Sequence, residues 1–112
     1  MPANTDLLLE VGKPGTATTL QAPGHTSGGT SITVVSTTNW PTATGVAFAI
    51  DRAQIVNGVE EQVAGTYTEW IGVVGGATSI TSMTLSSDSP NSDQDYPAGS
   101  LTRVYIPVSA TR

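Results

Sequence analysis

The chain has 112 residues, room for one hydrophobic core and not for two. Apolar residues make up 38% and charged residues 12%, and there is no cysteine, which excludes disulfide staples and thiolate metal sites. Four basic side chains, Lys13, Arg52, Arg103 and Arg112, stand against nine acidic ones for a net charge of −5, and their scatter excludes the clustered cations that nucleic acid requires.

Thr, Ser, Gly and Val fill the remaining composition. These residues suit short strands and tight turns and disfavour long helices, so an all-β fold is expected. The opening "MPANTDLLLEVGKPG" lacks the basic and apolar regions of a signal peptide. No apolar run reaches the ~20 residues of a membrane span. The expectation is a protein made in the cytoplasm, with no membrane partner.

Residues 1–29 combine one apolar run, with a candidate strand at Leu7 to Val11, and the Gly/Pro/Thr-rich "GKPGTATTLQAPGHTSGGT". They read as an extended N-terminal arm, with Leu7, Leu8 and Leu9 as contacts for a neighbouring subunit. Residues 30–112 read as the folded domain. "TSITVVS" sets Ile32 and Val34 against Thr33 and Val35 on opposite faces. Pro41 and Gly45 break the pattern, and "VAFAID" then puts Val46, Phe48 and Ile50 on one face with alanines opposite.

Asn57-Gly58 is a strong two-residue hairpin signal. "GTYTEWIGVV" follows, with Trp70 expected inward beside Thr66, Thr68 and Val74. Tyr67, Glu69, Ile71 and Val73 are expected on the outer face. A second hairpin, across Gly75-Gly76, is expected to lead into "TSITSMTL". The polar loop "SSDSPNSDQDYPAGS" precedes "LTRVYIPV", with Val104, Ile106 and Val108 on one face. Five or six strands at this spacing predict a small antiparallel β-sandwich or barrel, with Trp70, Phe48 and Ile80 anchoring its core.

No catalytic set emerges. His25 stands alone among glycines and is expected to be solvated, there is no G-x-S-x-G elbow, and Lys13 lies in the arm. Glu69 is adjacent to Trp70 in a strand, so the two point to opposite faces and cannot share a sugar site; Glu60 and Glu61 lie upstream. Asn91, Asp93 and Asp95 alternate as calcium ligands do. An EF-hand loop would need glycine at 96 and glutamate at 102, where Tyr96 and Thr102 stand. The glycine pairs precede strands, so no helix N-terminus can hold phosphate. The expectation is no enzyme activity, no metal and no cofactor. The outer face formed by Tyr67, Ile71 and Val73 is expected either to be covered by the chain itself or, as the favoured reading, to be a partner surface.

The run "TTNWPTATGVAFAIDRAQIVNGVEEQVAGTYTEWIGVVGGATSITSMTL", followed by "DQDYPAGSLTRVYIP", resembles a β-rich module of virion proteins of tailed bacteriophages. The shared elements are the "NWP-T" entry, the "G-TYTEW-GVV" strand and the "Y-AGS-TRVYIP" closure. The resemblance implies a structural protein on the virion surface. Its partners would be phage capsid or tail proteins and further copies of itself, with a trimer favoured. The end of the chain at Arg112 favours a capsid decoration protein over the anchoring module of a tail fibre or minor tail protein. A third reading is a carbohydrate-binding module in which Trp40, Tyr67 or Tyr96 stacks on a sugar.

Overall fold

The computed structural model describes residues 17–42 and 44–107. Seven strands form one antiparallel sheet: β1 (Ala17–Leu20), β2 (Ile32–Thr33), β3 (Val46–Val56), β4 (Val59–Gln62), β5 (Thr68–Gly76), β6 (Ser79–Leu85) and β7 (Gly99–Tyr105). The order is β1-β7-β3-β5-β6-β2, with β4 paired to β3 beyond the end of β5. The first and last strands of this path approach each other at the Leu20–Val34 bridge. Gln21 N–H donates to Thr33 C=O at 2.8 Å and Val35 N–H to Thr19 C=O at 3.2 Å, nearly closing the sheet into a barrel. The fold is all-β, and no described residue is helical.

The barrel interior follows from the alternation except in β6, where an irregularity at Ser82 (φ 53°) lets Ile80 and Met83, three positions apart, both face inward. Val46, Phe48 and Ile50 of β3, Trp70 of β5, Ile80 and Met83 of β6 and Val104 of β7 are buried together with Leu20, Ile32, Val34, Trp40 and Tyr96. Phe48 lies opposite Trp70, and Trp40 packs edge-on against Phe48 with ring centroids 5.9 Å apart. Gly72 makes room for this packing. A methyl group there would come within 3.0 Å of both Ile80 and the Phe48 ring.

Asn57 and Gly58 take left-handed backbone angles (φ 53° and 80°), as a two-residue hairpin turn requires, and join β3 to β4. The β5–β6 hairpin turns one step later than the glycines suggest. β5 continues through Gly76, and Ala77-Thr78 make the turn; Gly75 lies within the strand, where a β-carbon would come 3.1 Å from both the Ser79 and Thr81 side chains.

The folded sheet includes residues before Thr30. Ala17–Leu20 pairs with β7, and Leu20 is buried in the core, since "ATTL" is a good strand sequence with an edge of β7 available to it. Leu7, Leu8, Leu9, the candidate strand at Leu7 to Val11 and Val108 lie outside the described residues.

Candidate functional site

Two buried polar clusters organise the barrel, one inside and one on its outer face. The inner cluster starts at His25, which the sequence reading left in solvent. Its side chain is fully buried, and Nε2 donates to Asp93 Oδ1 at 2.8 Å. The ring stands edge-on to Trp70, with centroids 5.2 Å apart. His25 also exchanges both backbone hydrogen bonds with Tyr96, so the loop after β1 is tied to the loop before β7. Gly24, at φ +86°, permits this approach, because a β-carbon there would sit 2.5 Å from the Tyr96 carbonyl oxygen. Asp93 Oδ2 accepts Gly28 N–H at 2.7 Å, and Asp95 Oδ1 accepts Ser27 N–H at 2.8 Å.

The carboxylates that alternate like calcium ligands are therefore occupied by the opposite loop. No group of three or more His, Cys, Asp or Glu side chains suited to a metal forms among the described residues. Deeper in, Thr68 Oγ1 accepts the Trp70 indole N–H at 2.8 Å and shares a 2.7 Å hydrogen bond with the Tyr96 hydroxyl. The Tyr96 hydroxyl also donates to the carbonyl of Thr66. Burial pushes the Tyr96 phenol up to about 12.

Asp93 carries a pH prediction. Partial burial opposes its charge, but the hydrogen bond from His25 and the Gly28 amide outweigh that and hold its carboxyl below 3.8. A depressed native value means the contribution to stability is complete above the ordinary carboxylate range and is lost as pH falls through the native value. Melting temperatures should therefore fall more steeply below about pH 4 in the native protein than in Asp93→Asn. Parallel acid profiles for the two would show that the pair adds nothing.

The outer cluster centres on Asp51, which is completely buried although it points away from the core. The flanking Ala49 and Ala53 leave space for larger neighbours to cover it. Arg103 grips its carboxylate in bidentate fashion, through Nε at 2.7 Å and a terminal nitrogen at 2.8 Å. Gln62 Nε2 donates at 2.6 Å and the Tyr105 hydroxyl at 2.7 Å. Arg103 also reaches Glu60 at 3.1 Å, so the cluster bolts β4 to β7 across β3. The Asp51 hydrogen bonds raise the Arg103 guanidinium further, and burial with the Asp51 charge raises the Tyr105 phenol. The carboxylate of Asp51 is saturated with donors and shielded from solvent. It holds strands together and has no face open to a substrate.

With both clusters accounted for, what the molecule offers a partner is its exposed apolar surface. Comparison with known protein families, curated proteins and solved structures gives no match.

The residues expected to contact a partner lie where the alternation put them. Ile71 is 45% exposed on the outer face, in register with exposed Ala47 of β3 and Thr84 of β6. Tyr67 and Val73 are half-buried. Glu69 is half-buried too and accepts the Tyr67 hydroxyl at 2.6 Å, so it orients that ring. A second apolar group is one that sequence reading did not single out: Ile55, Val56 and Val59 are all exposed near the tip of the β3–β4 hairpin. The alternation of "QIVNGVEE" shows the hairpin but not that it projects past the barrel, where neither face finds a core. Trp40 and Tyr96 are buried in the core, so neither ring is open to stack on a sugar.

Proposed function

We propose that this chain is a non-enzymatic structural protein of a tailed-bacteriophage particle, a capsid decoration protein that acts as an oligomer on the virion surface. It would attach through the outer sheet face around Ile71, with Tyr67 and Val73, and through the segment carrying Leu7, Leu8 and Leu9. The observation that carries the reading is the contrast between carboxylates held inside the fold, Asp51 by Arg103, Gln62 and Tyr105 and Asp93 by His25 and Gly28, and an outer face that leaves Ile71 in water. A small module present in many symmetric copies gains avidity from repetition, so each copy needs only a modest sticky patch. Low charge density lets copies pack closely without strong repulsion. The sequence resemblance to virion modules supports the same conclusion.

Cosedimentation of the purified protein with phage heads lacking it tests the proposal. Ile71→Glu places a charge in the proposed contact and should reduce loading at least tenfold while leaving the melting temperature unchanged, since Ile71 contributes little to the core. Removal of residues 1–16, which leaves β1 intact, should weaken loading as well. Equal loading of native protein and Ile71→Glu would reject the attachment face. An absence of loading by the native protein would reject the decoration role.

A further inference from the structure

Among the described residues, the outer edge of β4 is a strand edge without a neighbour. β4 pairs with β3 alone, and all four of its residues are exposed. β3 is flanked by β5 over Val46–Ile50 and by β7 over Ala49–Arg52, but over Ala53–Val56 it has only β4. In a two-residue hairpin the closing pair, Val56 and Val59, is hydrogen bonded, and Val63 N–H donating to Arg52 C=O at 2.8 Å continues the same phase. The peptide groups of Glu60 and Gln62 therefore point outward from β4, a row of donors and acceptors ready to pair with another strand.

Exposed edges are commonly guarded by short length, charged side chains, proline or a bulge. "VEEQ" has no proline and no bulge, and its guards are its four-residue length and its negative charge, which repels like-charged strands and admits basic ones. It carries two adjacent carboxylates, Glu60 on the face shared with Ile55 and Glu61 on the face shared with Gln54. The base of the hairpin is held rigid by the Asp51–Arg103–Glu60 and Asp51–Gln62 contacts. Arg103 is shared between Asp51 and Glu60, so Glu60 is partly neutralised and Glu61 is the stronger attraction for a cation at this edge.

We propose that this edge is a docking site for an extended segment of another protein, which adds to β4 as an antiparallel strand. Charge complementarity sets its chemistry. Two adjacent basic residues would lie opposite Glu60 and Glu61, one on each face, followed by an apolar residue beside Val59. A second copy of the same edge is the wrong partner, because pairing β4 with β4 crowds four carboxylates together. The proposal is independent of the virion reading, since it names what one edge binds and not the particle.

The test uses the 15N-labelled protein and the peptide acetyl-Ser-Thr-Lys-Lys-Val-Val-amide, followed by amide shifts. Saturable changes should be confined to Ile55–Gln62 and should weaken as salt screens the charges. Glu61→Lys, an exposed change that leaves the Asp51 cluster intact, should weaken binding by about fivefold, the upper range for one cross-strand charge pair. A peptide with Glu-Glu in place of Lys-Lys should not bind, nor should one N-methylated at alternate residues, which keeps the charges but cannot form a ladder. The N-methylated peptide binding as well as the parent would overturn strand addition. Equal binding of the acidic peptide, shifts centred on Ile71, or no saturable shift with the parent peptide would overturn the site itself.

Discussion

Replacing Trp70 with alanine should lower the unfolding free energy by about 3–5 kcal/mol, the range for deleting a fully buried aromatic side chain. Trp70 is 2% exposed, packs its ring edge-on with His25 and donates its indole N–H to Thr68. The substitution thus opens a cavity and also removes a donor from the buried Thr68–Tyr96 network. Because a domain of this size has ~5–15 kcal/mol of stability in total, the variant should sit near the edge of unfolding at ambient temperature. Urea denaturation is the appropriate measurement. Trp70→Phe refills most of the volume and should recover the greater part of the loss. A cost for Trp70→Ala below about 1 kcal/mol, typical of an ordinary substitution, would mean that the two faces of β5 have been assigned the wrong way round.

Arg103→Met should be almost as damaging. It leaves the Asp51 carboxylate buried with Gln62 and Tyr105 as donors but without its counter-charge. Removing one partner of a buried ion pair costs about 3–5 kcal/mol, and the lower end applies here because part of Arg103 remains in water. Asp51→Leu combined with Arg103→Met removes both charges, and the double variant should be more stable than Arg103→Met alone. If the double variant is the less stable of the two, Gln62 and Tyr105 suffice to hold the buried carboxylate and the missing counter-charge is not what costs Arg103→Met its stability. Loss of Arg103 should also loosen the hairpin, seen as faster amide exchange across Val59–Gln62, since Glu60 and Gln62 are both held through this cluster.

The strands and the core were legible because a barrel wall has one dry face, and the period-2 pattern of Val46, Phe48 and Ile50 or of Trp70 against Ile71 records it directly. The Asn57-Gly58 turn was legible because few dipeptides accept two left-handed conformations in succession. His25 and Asp93 were not. They lie 68 positions apart in loops with no periodicity, and only the closure of the barrel brings them together. Asp51 was hidden for a related reason. An acidic residue on the outer row of a strand reads as solvated, and its burial depends on Arg103 and Tyr105 from a strand about 50 residues away. The one local trace was the pair of small neighbours, Ala49 and Ala53, which leave room for covering side chains. β1 was missed because its register depends on β7, at the other end of the chain.

The outer face at Ile71 is, on this reading, a surface covered in the assembled particle, while the barrel beneath it is already packed. Hydrogen–deuterium exchange of the protein free and bound to phage particles tests this most directly. Slowed exchange on binding around Ile71 is the predicted result. Bound protein in which that region exchanges as fast as in free solution would contradict it.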